Sequence, residues 1–127
     1  MGLKRPTFLL MARLAALTAD AKKAREIVLY DVRKVSGVSD YCVIATVESA
    51  PHLTAVEEAL DENIKSGLGI NLLHREGRGK SGWLVMDYGG VVIHLFQEQA
   101  RSFFGLECLW ENARPLDWAA PPRSRKK

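Results

Sequence analysis

The sequence predicts a single-domain α/β protein whose mixed β-sheet of about five strands is flanked by helices. Its 127 residues suffice for one domain with a core, and 47% apolar with 26% charged residues are typical of globular proteins. Residues 82–96 have the alternating pattern of a β-hairpin, and a helical pattern separates them from an earlier pair of strands. Because a helical crossover allows parallel pairing beside antiparallel hairpins, we expect a mixed sheet.

The first half of the chain predicts two helices and two strands. Apolar residues recur at helical spacing over residues 7–25. Residues 27–33 and 40–47 are rich in β-branched and aromatic residues and predict two neighbouring antiparallel strands. The second helix is predicted from its N-cap Ser49 to Gly67, with an acidic face expected to lie in solvent. Its apolar stripe consists of Leu53, Val56, Leu60 and Ile64.

The second half is dominated by the hairpin and ends in a basic tail. The elements expected around the hairpin are a short strand at 70–73, a glycine-rich basic loop at 74–81, a short helix at 97–104 and an extended segment at 106–110. Residues 114–127 hold five basic residues and one acidic residue, a net +4, which leaves −1 for residues 1–113 given the total of +3. We therefore assign residues 1–113 to one domain and residues 114–127 to a basic, disordered tail.

Composition argues against several functional classes. Residues 1–113 are nearly neutral, whereas a dedicated nucleic-acid-binding domain is basic. No apolar run approaches the roughly 18 residues of a membrane span. Cys42 and Cys108 lie far apart without Cys-x-x-Cys spacing, and the three histidines lack metal-ligand spacing. We therefore expect buried free thiols, no metal, no cofactor and a cytoplasmic location.

The hairpin predicts one pure core face and one mixed face. Gly89-Gly90 is a two-residue turn, from which the register follows by counting. The core face pairs Tyr88 with Val91, Met86 with Ile93, and Leu84 with Leu95. The mixed face pairs Asp87 with Val92, Val85 with His94, and Trp83 with Phe96. Asp87 and His94 lie diagonally, roughly 7–8 Å apart, and we expect the histidine to hydrogen-bond the carboxylate.

The mixed face supplies the candidate functional residues. Trp83 and Phe96 are either satellite core or interface anchors, since tryptophan buries a large area with few rotors. Gly79-Lys80-Ser81 is similar to the end of a phosphate-binding loop, but His74 stands where the upstream glycine is needed. A strand rather than a helix is predicted after Ser81, so the sequence favours a solvated loop.

Several segments between residues 21 and 110 together match a known family pattern. They are Lys22-Lys23-Ala24, Ile27 to Val32, Ser39-Asp40-Tyr41, Val43 to Thr46, His52, Glu76-Gly77, Gly82 to Gly89, His94-Leu95-Phe96, Arg101 to Glu107 and Leu109-Trp110. Because these segments occur in the order and at the spacing of that pattern, the chain resembles the Iojap family of bacterial ribosomal silencing factors. It departs at Val47-Glu48-Ser49, at Gly90 and at Phe104, where the family commonly has Gly-Thr-Ser, an acidic residue and a tyrosine.

The resemblance implies a fold related to the nucleotidyltransferases without their catalytic groups, and no enzymatic activity. It implies that the protein binds a large-subunit ribosomal protein at the subunit interface, sterically blocks joining of the small subunit and so represses translation. It also implies a homodimer, and leaves open a contact of the basic tail with ribosomal RNA. The expected partner-binding residues are Trp83, Asp87, His94, Phe96 and Arg101.

Two other hypotheses remain at this point. A small nucleotide-binding enzyme of nucleotidyltransferase-like fold would place Lys80 and Ser81 on phosphate and use Asp87 and His94 as an acid–base pair. Alternatively, the mixed face is the seam of a homodimer.

Overall fold

A six-stranded sheet and two helices make up the part of the chain that the computed structural model describes, which is residues 5–35, 39–78, 82–98 and 113–119. The elements in chain order are α1 (Arg5–Ala21), β1 (Arg25–Asp31), β2 (Tyr41–Val47), α2 (Ala50–Leu68), β3 (His74–Arg78), β4 (Trp83–Asp87), β5 (Val91–Gln97) and β6 (Arg114–Leu116). Neither of these helices is long and apolar enough to cross a membrane.

The sheet is mixed, as predicted, with the strand order β3-β4-β5-β2-β1-β6. β2 and β5 pair in parallel at its centre, and the other neighbours are antiparallel. The parallel pair exists because α2 carries the chain back across the sheet after β2. Every residue of β2 is buried, as expected for a central strand.

Both helices pack on one face of the sheet and enclose the main core. α1 contributes four alanines that are at most 1% exposed, so its backbone lies close to its neighbours: Ala12, Ala15, Ala16 and Ala19. α2 buries the predicted stripe, whose members are also at most 1% exposed. Ser49 caps α2 as predicted, its Oγ accepting a hydrogen bond from the His52 N–H at 3.2 Å.

Two sequence expectations around α2 and β3 are wrong. The helix ends at Leu68, one residue beyond Gly67, and its cap is Gly69, which takes the left-handed conformation (φ 70°) and donates its N–H to the Lys65 carbonyl. The strand expected at 70–73 lies instead at His74–Arg78, within the segment predicted to be a loop. Its charged residues suit an edge strand, because only one side of it pairs and residues 74–77 are exposed.

The disorder predicted for the tail is wrong for residues 114–119. β6 pairs with the outer edge of β1, placing Leu116 opposite Leu29, and the Trp118 indole donates to the Ile27 carbonyl at 3.0 Å. Leu116 and Trp118 pack against the main core, so apolar burial holds this segment despite its proline and basic neighbour. The division of the chain at residue 113 stays a prediction.

Several predictions fall outside the described residues. These are most of the turn expected at 36–39 between the first two strands, the end of the basic loop (79–81), most of the short helix expected at 97–104, and the extended segment expected at 106–110, which includes Cys108. Gln97 itself belongs to β5. Cys42 is buried as predicted, and burial raises the pKa of its thiol to about 12, which makes it a poor nucleophile at neutral pH.

Candidate partner-binding surface

The hairpin builds the mixed face in the predicted register. β4 and β5 pair Trp83 with Phe96, Val85 with His94 and Asp87 with Val92. The two-residue turn at Gly89-Gly90 is closed by the Tyr88 N–H, which donates to the Val91 carbonyl at 2.9 Å. We call the six side chains on this side of β4 and β5 the aromatic face: Trp83, Val85, Asp87, Val92, His94 and Phe96.

Three rings stand nearly parallel on the aromatic face. The centroids of Trp83 and Phe96 are 6.0 Å apart, those of Trp83 and His94 6.4 Å, and those of His94 and Phe96 6.1 Å. The interplanar angles are 8° or less. Direct pairing across the strands and two-residue spacing along β5 produce this arrangement, because both place neighbouring side chains on one side of the sheet.

The three rings differ in exposure. Phe96 is fully buried and lies in a second, smaller core cluster with Val32, Cys42 and Ile44. Trp83 packs against this cluster but is only partly buried, and His94 likewise keeps part of its surface. Phe96 therefore belongs to the core, whereas Trp83 and His94 keep some surface exposed.

His94 pairs with Trp83 and not with Asp87, so the predicted carboxylate partner is wrong. The Trp83 indole N–H donates to His94 Nδ1 at 3.4 Å. Because Nδ1 accepts, the imidazole proton is on Nε2. Burial lowers the pKa of His94 to about 4, so the ring is neutral at pH 7.

Asp87 closes its own turn instead. Its Oδ1 accepts a hydrogen bond from the Gly89 N–H at 2.8 Å. An aspartate two residues before a turn N–H forms this local bond readily, and it competes with the diagonal contact to His94. The two side chains are therefore not assembled as an acid–base pair.

An exposed contact between two side chains of β3 borders the aromatic face. His74 and Glu76 lie opposite Asp87 and Val85, respectively, and their side chains are 63% and 67% exposed. His74 Nε2 is 3.4 Å from Glu76 Oε2. Sequence reasoning missed both residues because it placed them in a loop, although they alternate with Arg75 as in a strand. Glu76 and Asp87 place two carboxylates on this rim, and the basic residue Arg78 is paired with Trp83.

The remaining predicted residues cannot be placed on this surface. Arg101, like Lys80 and Ser81 of the nucleotide hypothesis, lies outside the described residues. Among the residues that are described, no group of three or more His, Cys, Asp or Glu side chains is arranged to hold a metal ion.

A cavity of about 360 Å³ lies on the opposite, helix-bearing face, between α2 and the β3–β4 edge. Its polar lining consists of Thr54, Glu57, Glu58, Asp61 and Arg75, over Leu53, Leu72, Leu84 and Met86.

Glu57 and Asp61 of this lining are not simply solvated as expected. Arg75 Nη1 is 2.5 Å from Glu57 Oε2, and Asp61 Oδ1 accepts from the Tyr88 hydroxyl at 2.9 Å. Burial nevertheless raises the pKa of Glu57. Three carboxylates and one guanidinium leave this cavity negative, which disfavours phosphate.

The chain matches a known protein family over almost its whole length. Residues 6–127 match the family model described as "RsfS: Ribosomal silencing factor during starvation". The chain is 32% identical to the ribosomal silencing factor RsfS of Bacillus subtilis over 105 residues, which cover 83% of this chain and 88% of that protein. It is 33% identical to the RsfS of Zymomonas mobilis over 101 residues, covering 80% and 75% of the two chains.

The fold also matches a solved structure. A Chromobacterium violaceum protein known from X-ray crystallography superposes with a TM-score of 0.77, covering 92% of this chain and 96% of that one at 21% identity. The mixed sheet with its two helices is therefore a shared fold. The chain belongs to the ribosomal silencing factor family.

Proposed function

We propose that the protein represses translation by binding a large-subunit ribosomal protein at the subunit interface and blocking association of the small subunit. Family membership supports the general activity, and the aromatic face supports the docking site. The observation that carries the site is the partly exposed Trp83 ring, held by a hydrogen bond to His94 and stacked with buried Phe96. A tryptophan whose orientation is set before binding loses little entropy on docking.

The charge of the rim indicates the chemistry of the partner. Glu76 and Asp87 place two carboxylates near His94, and the basic residue Arg78 is paired with Trp83. Carboxylates near a docking surface favour encounter with basic proteins. A basic ribosomal protein fits this surface, with Arg101 expected to contribute as the sequence predicts.

Substitution of Trp83 tests the proposed site. Trp83→Ala should keep the fold and weaken co-sedimentation with purified large subunits about thirtyfold, because truncating an anchoring tryptophan costs about 2 kcal/mol or more. The matched control is Leu10→Ala, which removes a side chain that is 56% exposed on α1, away from the aromatic face. Equal co-sedimentation of the Trp83→Ala variant and the Leu10→Ala control would contradict this site.

Blocking of subunit association is a separate part of the proposal. Added to isolated subunits, the wild-type protein should reduce the fraction of joined ribosomes on a sucrose gradient, and Trp83→Ala should not. A wild-type protein that binds large subunits but leaves joining unchanged would contradict the steric mechanism.

We also propose a homodimer and a cytoplasmic location, with the tail as a further contact to ribosomal RNA. Light scattering of Trp83→Ala distinguishes a dimer seam on the aromatic face from ribosome docking. Calorimetry with ATP or GTP tests the nucleotide-binding alternative, which is disfavoured because its acid–base pair, Asp87 and His94, is not assembled. Saturable micromolar binding would reverse that preference.

A further inference from the structure

We propose that His94 orients Trp83 and donates its Nε2–H to a neutral carbonyl oxygen of the partner, an inference that rests on docking through the aromatic face. Its two ring nitrogens would then have different tasks. Nδ1 would act inside the protein, on the indole, and Nε2 would act across the interface. His94 is thus a positioning residue for Trp83 and a specificity-determining contact of its own.

The positioning role follows from the geometry of the two rings. The planes of Trp83 and His94 differ by only 4°, and the bond from Nε1 to Nδ1 joins the rings edge to edge at 3.4 Å. The indole N–H is the only polar atom of the tryptophan side chain. Because His94 supplies the acceptor for this N–H, the partner can cover the indole with apolar groups and leave no donor unpaired.

The donor role follows from what surrounds Nε2. Within the described part of the chain, no group accepts a hydrogen bond from it, and His94 keeps part of its surface exposed. Val85 stands directly opposite His94 and Val92 two residues before it, both on the aromatic face. Asp87 is occupied by the Gly89 N–H. Docking would therefore bury an N–H among apolar side chains, which is costly unless the partner supplies an acceptor.

The acceptor is expected to be neutral. A partner carboxylate at Nε2 would be repelled by Asp87, diagonal to His94, and by Glu76 on the next strand. Arg78 lies farther along β3, opposite Trp83. The burial that keeps His94 uncharged at pH 7 also removes the attraction that a carboxylate would need. A backbone or side-chain amide carbonyl meets both conditions.

Two substitutions separate the tasks of the ring. In His94→Asn the side-chain oxygen can still accept from the Trp83 indole, but no N–H reaches the position of Nε2. In His94→Gln the longer side chain returns an amide N–H to that position. We expect His94→Asn to co-sediment with large subunits about tenfold more weakly than wild type, because a partner carbonyl is left unpaired. We expect His94→Gln to recover to within about threefold.

The outcomes distinguish this inference from the docking on which it rests. Failure of the wild-type protein to bind large subunits overturns both. Binding by wild type, its loss in Trp83→Ala and full binding by His94→Asn overturn only the donor role. Nitrogen-15 NMR of the free wild-type protein tests the tautomer without any variant: a proton on Nδ1 overturns the inference, and a proton on Nε2 with a shifted Trp83 indole resonance supports it.

Discussion

Acid should destabilise this protein through His94 as the pH falls from about 6.5 to about 4. In the unfolded chain the pKa of His94 is near the ordinary value of 6.5, and in the folded protein burial lowers it to about 4. The unfolded chain therefore binds more protons between these two pH values, so stability falls as the pH is lowered through this range. By pH 4 the loss amounts to ~3 kcal/mol, a large fraction of the 5–15 kcal/mol that is typical of domains.

The assay is urea unfolding of wild type and His94→Asn at a series of pH values from neutral down to pH 4. Other groups cancel in the comparison because both proteins contain them. The hydrogen bond to Arg33 lowers the pKa of Asp31, so the stability that Asp31 contributes is lost only as the pH falls below the ordinary pKa of an aspartate. Glu57 has a raised pKa, so its contribution to stability increases as the pH falls. The difference in unfolding free energy between wild type and variant should therefore shrink or reverse as the pH falls. Parallel curves for the two proteins would refute the assignment of His94 as a buried neutral ring.

Two further substitutions test the helix-bearing face and the edge of the sheet. Tyr88→Phe removes the hydroxyl that donates to Asp61 at 2.9 Å. Because Tyr88 is 3% exposed, the variant should lose about 1.5 kcal/mol of unfolding free energy in urea. An unchanged urea midpoint would contradict this hydrogen bond. Gly77→Ala should lower the free energy of unfolding by about 3 kcal/mol, because φ is 92° and a Cβ would collide with the Trp83 carbonyl. Gly69→Ala, at φ 70° with open space around it, should lower it by only about 1 kcal/mol. Equal thermal stability of the two glycine variants would argue against the described pairing of β3 with β4.

Sequence patterns were sufficient wherever the governing interactions are local. The register of the hairpin follows from Gly89-Gly90 and the two-residue period, and every predicted cross-strand pair of the aromatic face is present. The buried stripe of α2 and its Ser49 cap are likewise set by spacing and side-chain chemistry within one turn. Trp83 and His94 were identified as candidates for the same reason, since alternation alone places them on one side of the sheet.

The partner of His94 could not be chosen from the sequence. Asp87 lies within diagonal reach, but it accepts a hydrogen bond from the Gly89 N–H instead. The partner of His94 is the Trp83 indole, whose N–H donates to Nδ1. Which of two neighbours a side chain contacts depends on rotamers, and packing against residues of other strands selects those rotamers. The exposure of Trp83 and the full burial of Phe96 depend on the same packing.

In the described parts of the chain, the two edge strands were also decided by tertiary structure. β3 consists of charged residues and a glycine, and β6 lies in a basic, proline-containing segment, so neither has the apolar alternation that predicts a strand. Each forms because a neighbouring strand presents free backbone groups along its edge, and for β6 because Leu116 and Trp118 reach the core. Local periodicity thus determined the centre of the sheet and the identity of its mixed face, whereas contacts between residues distant in sequence determined its edges and the hydrogen bonds that orient its rings.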